Sequence, residues 1–533
     1  MKLLIKILAV KIVVFIISVA TISAVAQDIR LVDAVKVRDQ NTVLQLLEDN
    51  IDVNATAPDG SSALAWAAHW DDIKTADILI RTGADANISN EYGISPLMLA
   101  CTNGSSSMIQ KLLEVRANPN QAQWMGVTPL MICSRSGSVE GVKLLLTQGA
   151  DVNARDVRRG QTALMWAASR QHPEVASVLT EYGADADLKT RMPDDITPRE
   201  FITYGVKRRD PTRTDIIADD EVHLETTSSR GGFSALMFAA RKGDMEMAKV
   251  LIAAGADVNV SSAEYGNALV VAAVNNHKDF ALYLLSQKVD PNVNDRWGFT
   301  PLHYSLHSGI NIINTSRKSI PTDANWHKPN MPELVESLLQ HGADPNARVV
   351  HGFPPFNTPA YARTTGNAMP ELRQPGATPI LLAAASFDVS LMQLLVSHGA
   401  DPLLTTDEGT TPLMLAAGMG RHDDLTPEEE TFSLEASRYA VELGIDVNAS
   451  NQDGRTALAA AAYMGSNTVI KYFVSNGADL EKQDRYGQTA LSIAQGKPYK
   501  ISGGDKRFRR ATPHIKSAAL LLSLGAQPTS IDQ

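Results

Sequence analysis

The chain has 533 residues, 44% of them hydrophobic but only 6% aromatic, and a net charge of −10. Positive and negative residues are mixed along it, so it lacks the basic domain or stripe that a nucleic-acid binder carries. A globular chain of this length would divide into several domains, unless a regular repeat organises it instead.

Lys2, Lys6 and Lys11 precede or interrupt an apolar start, with an unbroken apolar-rich run from Ile12 to Ile22, and Ala24-Val25-Ala26 has the small-x-small form of a cleavage site. Residues 1–26 are expected to be a signal peptide, with the mature chain beginning at Gln27. The alternative is an uncleaved anchor, which Lys6 and Lys11 interrupt. No other stretch has 18 uninterrupted apolar residues, so no further membrane span is expected.

Residues 27–58 hold a first pair of short apolar faces, Leu31, Ala34 and Val35, then Val43, Leu46 and Leu47. Polar residues among them suit the end of an array. From Asp59 to Leu188 the pattern becomes regular, and residues 126–154 show it most clearly. Thr128 can cap a helix whose first residue is Pro129, where the missing N–H costs nothing. Gly137 ends that helix. A second helix starts near Ser138 and puts Val142, Leu145 and Leu146 on one face. Gly149 sits where a left-handed cap is wanted, and Asp151 and Asn153 suit the turn that follows.

Residues 191–230 break the pattern. Thr197-Pro198 opens a degenerate half-unit over 198–204, and 207–230 reads as a polar loop. Regular units resume over 231–348, a proline-rich insertion spans 349–375, and units continue over 376–533. Three further insertions, about 309–331, 420–433 and 496–513, fall between the two helices of one unit. The acidic residues Asp423, Asp424, Glu428, Glu429 and Glu430 read as part of a solvated loop, as does the basic run Lys506 to Arg510.

Aligned on the Gly-Ala-Asp position, the units place Asp52, Asp85, Asn118, Asp151, Asp185, Asp257, Asp290, Asp344, Asp401, Asp446, Asp479 and Gln527 in register, most often 33 residues apart. The helix openings are Ser-Pro-Leu-Met at 95–98, Thr-Pro-Leu-His at 300–303 and Thr-Pro-Leu-Met at 411–414. Period and signature together resemble the ankyrin repeat, about twelve copies of it in an exported bacterial protein. The resemblance implies an all-α fold: an ankyrin-repeat solenoid of stacked helix-turn-helix units with hairpin loops and several insertions. Export is expected to place it in the periplasm or outside the cell.

No haem-attachment, zinc-helix, P-loop or nucleophile-elbow motif occurs. The chain is therefore expected to be no enzyme and to need no cofactor or metal. His303 is the one signature histidine kept and reads as structural. Trp66, Trp166, Phe238 and Tyr304 share one position of their first helices, filled by Leu99, Ile132 and Leu415 in other repeats, and read as core between units. Cys101 and Cys133 lie on neighbouring first helices, and with helix axes about 8–10 Å apart they are expected to remain two buried thiols.

What the resemblance implies is recognition of a protein partner on a concave face lined by the ends of the first helices and the hairpin tips. The residues expected there are Trp70, Tyr92, Trp124, Arg135, Arg158, Arg159, Arg170, Arg241, Lys242 and Trp297, with Arg155 and Arg296 nearby. Tryptophan and arginine are enriched at interfaces. The expected protein is a monomeric scaffold that binds neither nucleic acid nor, after cleavage of the signal, membrane. Two alternatives stand beside it: a secreted effector acting on another organism's proteins, and an enzyme with its site in the insertions.

Overall fold

The structure, a computed structural model, describes residues 28–191, 231–314, 328–350, 375–421, 424–497 and 513–528. The signal peptide expected over 1–26, the half-unit and loop within 192–230, nearly all of the proline-rich insertion and the basic run Lys506 to Arg510 lie outside those residues. The described residues divide into two compact units, one built mainly from 28–190 and the other mainly from residue 231 onward.

The first unit stacks five helix pairs: α1 (Arg30–Lys36) with α2 (Gln40–Glu48), α3 (Ala63–His69) with α4 (Ile73–Arg81), α5 (Pro96–Asn103) with α6 (Ser106–Glu114), α7 (Pro129–Ser136) with α8 (Val139–Thr147), and α9 (Ala163–Arg170) with α10 (Pro173–Glu181). First helices pack on first helices and second helices on second. Each first helix after α1 is opened by a hydroxyl: Ser62, Ser95, Thr128 and Thr162 each accept the N–H three residues on. Such caps are worth about 1 kcal/mol each. Gly149 has φ 81° with open space around it, which fits its place just past α8.

Neighbouring turns are tied by asparagine. Asn120 accepts the Asp151 N–H at 2.7 Å and donates to the Gly149 carbonyl at 2.9 Å. Asn54, Asn87 and Asn153 make the same two bonds one repeat apart. A polar side chain also reaches back to the end of the preceding first helix: Asn103 to the Ala68 carbonyl at 3.0 Å and His172 Nε2 to that of Arg135 at 3.1 Å. Helices of seven to nine residues are unstable alone, and these bonds, with the buried faces, hold them in register.

The first helices meet through small residues. Ala67, Ala68, Ala100, Cys101, Cys133, Ser134, Ala167 and Ala168 are fully buried. Here the structure corrects the expectation of two thiols: Cys101 and Cys133 are joined in a disulfide, with their Cα atoms 4.6 Å apart. Helix axes about 8–10 Å apart still bring facing Cα atoms close, because each lies about 2.3 Å off its axis toward the partner. Gly141 makes room for the bridge. Other second helices of this unit put Thr42, Thr75, Met108 and Val175 at its place, whereas a Cβ here would lie 2.7 Å from Ile109 Cδ1 and 3.1 Å from Cys133 Sγ.

The second unit pairs α11 (Ala235–Lys242) with α12 (Met245–Ala253), α13 (Ala268–Val274) with α14 (Lys278–Ser286), α15 (Pro301–Tyr304) and α16 (His307–Asn314) with α17 (Pro332–Gln340), α18 (Pro379–Ala385) with α19 (Val389–Ser397), α20 (Pro412–Ala416) with α21 (Pro427–Glu442), α22 (Ala457–Met464) with α23 (Asn467–Ser475), and α24 (Ala490–Ala494) with α25 (Ile515–Ser523). The caps and asparagine ties recur, as at Asn292 and Asn346. Two insertions are not simple loops. The start of one forms α16, whose Gly309 lies against the Leu382 backbone. The other lengthens a second helix to the 16 residues of α21.

That lengthening corrects the reading of the acidic run. Asp423 lies outside the described residues, but Glu428, Glu429 and Glu430 form the first turn of α21, where carboxylates oppose the positive helix end. Glu429 closes a capping box with Thr426 and pairs with Arg421 at 3.1 Å. The Glu430 carboxylate accepts from the Ser466 and Thr468 hydroxyls and the Thr468 N–H, at the start of α23.

Candidate partner-binding surfaces

Charge is sorted between the two helices of each pair. From α3 onward the first helices, α3, α5, α7 and α9 in the first unit and α11, α13, α15, α16, α18, α20, α22 and α24 in the second, contain no Asp or Glu. The carboxylates of those pairs lie on second helices, hairpins and turns, in a protein whose net charge is −10. The exposed side of the first helices is therefore the less acidic side of each unit.

In the first unit that side carries aromatic rings and cations. Trp70, which caps α3, is 41% exposed and donates its indole N–H to the Lys36 carbonyl at 3.2 Å. His69 packs edge-on to it with centroids 4.7 Å apart, and Trp66 lies at 6.3 Å. The Lys36 ammonium stands 4.9 Å from the Trp66 ring. Three repeats further on, the Arg135 guanidinium lies 5.4 Å over Trp166. Cation–ring contacts of this kind are worth about 0.5–1 kcal/mol when exposed, and they hold long side chains in place. Arg170, the last residue of α9, is exposed.

Trp66 and Trp166 were expected in the core; both are only half-buried and form part of this surface. Phe238 and Tyr304, at the same repeat position, are buried as expected. Phe238 packs against Phe233 with centroids 5.4 Å apart and Tyr304 stacks on Phe299 at 5.3 Å, whereas Trp66 and Trp166 have the cations Lys36 and Arg135 beside their rings.

The hairpin tips add Tyr92, 45% exposed, and Trp124, 48% exposed, joined by a bond from the Trp124 N–H to the Tyr92 carbonyl at 3.1 Å. Exposed Arg158 and half-buried Arg159 lie in the turn before α9, which buried Asp156 shapes by accepting the Arg159 and Gln161 N–H groups. Arg155 serves the hairpins themselves: it donates to the Gly160 and Lys189 carbonyls.

Arg241, Lys242 and Trp297 belong to the second unit. Arg241 lies 5.1 Å over Phe238 and 5.7 Å over Phe233, and Lys242 is exposed beside it. Trp297 is half-buried under Arg296 at 4.9 Å, and Arg296 pairs with buried Glu264 at 3.0 Å. Arg348 with Asp407 and Arg485 with Asp453 link hairpins in the same way.

The second unit also holds a buried polar cluster. The Tyr304 hydroxyl donates to Asp295 at 2.5 Å, and Asp295 accepts the Trp297 and Phe299 N–H groups as well. Burial pushes the Asp295 carboxyl up to about 6, with the Tyr304 bond opposing it, and drives the Tyr304 hydroxyl up. His303 Nδ1 lies 2.8 Å from Thr300 Oγ1. A hydroxyl and an imidazole at that distance invite a nucleophile–base reading. Both are buried, however, and they form the capping box of α15, with His303 Nε2 directed at the Ala377 carbonyl. Desolvation lowers His303 and His307 to about 4 each. Among the described residues no group of three or more His, Cys, Asp and Glu could hold a metal ion, and no helix is long and apolar enough to cross a membrane.

A family model for ankyrin repeats, in three copies, matches residues 31–123, 69–156, 107–190, 219–315 and 432–532, and a single-repeat model matches 297–349. Residues 350–431 fall outside these matches, yet α18 and α19 there form the same helix pair. The chain is 23% identical over 269 residues to the human transient receptor potential cation channel subfamily A member 1, covering 46% of this chain and 21% of that protein. It is 24% identical over 275 residues to the zebrafish (Danio rerio) putative palmitoyltransferase ZDHHC13, covering 51% and 33%. Over 147 residues it is 33% identical to alpha-latroinsectotoxin-Lt1a of Latrodectus tredecimguttatus, covering 27% and 9%. The chain thus spans a third or less of the length of these relatives.

Proposed function

This chain belongs to the ankyrin-repeat family, and from that premise we propose that it is a non-enzymatic scaffold that binds a protein partner along the exposed side of its first helices and the adjoining hairpin tips. The observation that carries the reading is the row of exposed aromatic residues on the first unit, Trp70, Tyr92 and Trp124, 41–48% exposed on a framework held by buried caps and asparagine ties. Large rings on a rigid support bind with little ordering cost, because the surface is already in its bound shape. Relatives include proteins named for enzymatic or channel activities, but the matches cover the shared repeats.

The reading places the mature protein outside the cytoplasm, in the periplasm or beyond the cell. The Lys-apolar-small pattern of residues 1–26 supports this, and so does the pairing of Cys101 with Cys133, since disulfides persist in oxidising compartments. The test is capture of partners by the mature chain, identified by mass spectrometry, beside a Trp70→Ala/Trp124→Ala variant. Loss of the specific partner in the variant, with the melting temperature unchanged, is expected. A partner held equally well by both would remove this surface from the account.

A further inference from the structure

We propose that Cys101 and Cys133 form a redox latch on the first unit. Joined, they hold α5 and α7 together and complete the face assigned above to a partner; reduced, they wedge the two helices apart and disable it. The proposal rests on the scaffold reading and names how that same surface is regulated.

The latch stands where other repeats have only small residues. At the place of Cys101, helices α3, α7 and α9 carry Ala68, Ser134 and Ala168; at the place of Cys133, helices α3, α5 and α9 carry Ala67, Ala100 and Ala167. All six are fully buried. The cysteines put a sulfur on each side of this contact, with Cα atoms 4.6 Å apart. As thiols, the two sulfurs are non-bonded atoms that need about 3.5–4.0 Å between them. Helices this close provide that only if the side chains turn away from each other. Cys133 has no room to do so toward α8, where even the interior Gly141 is crowded: a Cβ there would lie 2.7 Å from Ile109 Cδ1 and 3.1 Å from Cys133 Sγ. Reduction therefore overpacks the contact, and α5 and α7 must separate to relieve it.

That separation falls on the proposed face. Leu99 and Ile132, two residues and one residue before the cysteines, hold the position of Trp66 and Trp166 on α3 and α9. Ser136 Oγ donates to the Cys101 carbonyl at 2.8 Å and Ser138 Oγ to the Gly104 carbonyl at 3.1 Å, so parting the helices also breaks the ties at their ends. Each repeat holds chiefly to its neighbours, so a break here divides the first unit.

Access sets the direction. Both cysteines are completely buried, and the chain has no third cysteine to attack the bridge. Closing the latch takes a disulfide-bearing oxidant. One chain thiolate attacks a sulfur of the oxidant, the other displaces the mixed disulfide, and the oxidant leaves as a dithiol with two electrons and two protons from the chain. Opening is the reverse reaction with an external dithiol, whose thiolate has to reach a sulfur that the closed array encloses. The latch thus sets on the open chain and releases only after α5 and α7 have come apart.

The test compares three forms of the mature chain: oxidised, reduced with dithiothreitol in urea and refolded under reductant, and Cys101→Ala/Cys133→Ala, which has neither bridge nor sulfurs. Hydrogen exchange is read in Pro96–Asn103 and Pro129–Ser136. The reduced chain is expected to exchange there about tenfold faster, or more, than the alanine variant, with Ala235–Lys242 of the other unit unchanged. Glutathione disulfide should restore slow exchange, and the folded oxidised chain should keep its bridge under dithiothreitol without urea. The partner from the capture experiment should be held by the oxidised chain and the alanine variant and released by the reduced chain.

Equal exchange in the reduced and oxidised chains, exchange in the alanine variant as fast as in the reduced chain, or rapid reduction of the folded chain would each overturn the proposal. Exchange needs no partner, so the two readings fail separately. If the reduced chain loosens but Trp70→Ala/Trp124→Ala keeps the partner, the surface falls. If that variant loses the partner while the reduced chain neither loosens nor releases it, the surface stands and the latch falls.

Discussion

Lowering the pH from 7.5 to 5 asks the second unit to charge two imidazoles in its interior. His303 and His307 have folded values of about 4, set chiefly by desolvation, against 6.5 in the unfolded chain. Between those values the unfolded chain binds more protons, so the stability each contributes is complete above pH 6.5 and lost as the pH falls toward 4. At pH 5 the loss is about 2 kcal/mol for each histidine. Asp295 opposes them. Its folded value of about 6 lies above the unfolded 3.8, so its contribution is present below 3.8 and lost as the pH rises through 6. Acidification therefore returns about 1.4 kcal/mol at Asp295 and leaves a net loss of about 2.5 kcal/mol. Lys328 depresses His307 further, and Asp344 opposes the fall at His303.

The variant His303→Met/His307→Asn places at the first site the residue type of Met98 and at the second an amide like that of Asn103, which reaches the carbonyl equivalent to the one His307 reaches. It should remove about 4 kcal/mol of the pH sensitivity and, in this cluster, leave only the opposite trend of Asp295. Urea titrations at both pH values, read by hydrogen exchange in the Pro332–Gln340 and Pro379–Ala385 segments, measure it. Sensitivities of wild type and variant that agree within about 1 kcal/mol would refute the assignment of charge burial to these two histidines.

Three further outcomes are expected. Gly309→Ala should lower the second unit's stability by more than about 2 kcal/mol, because the new Cβ overlaps the Leu382 carbonyl and would lie 2.6 Å from its carbon; a thermal melt decides it. Gly149→Val should cost about 1–2 kcal/mol from its φ of 81° alone, since nothing lies within 4 Å of the added Cβ, and an unchanged melting temperature would count against that origin. Cys101→Ala/Cys133→Ala should cost about 3–4 kcal/mol by opening a link across 32 residues, and the wild type should take up no alkylating reagent when unfolded without reductant.

Much of the fold could be read locally. A threonine before a proline, a glycine at a helix end and an Asp-x-Asn turn each act within a few residues, so their chemistry sets helix limits wherever they occur. The same locality placed Trp70, Tyr92 and Trp124 at helix ends and hairpin tips, where the structure exposes them. The absence of carboxylates from the first helices was equally open to a residue count by position, the one signal that would have pointed to Lys36, His69, Trp66 and Trp166 as neighbours on one face.

The sequence by itself determined the repeat, its period and its capped helix pairs, because those depend on contacts within one unit. Tertiary structure alone decided that Cys101 meets Cys133 over the gap left by Gly141, that Glu430 reaches the start of α23, that α16 packs on α18, and that Trp166 lies under Arg135. Each of those joins side chains from successive repeats. Whether such neighbours touch is set by how closely the first helices approach, and that distance comes from small residues on both sides of the contact rather than from any pattern along one helix.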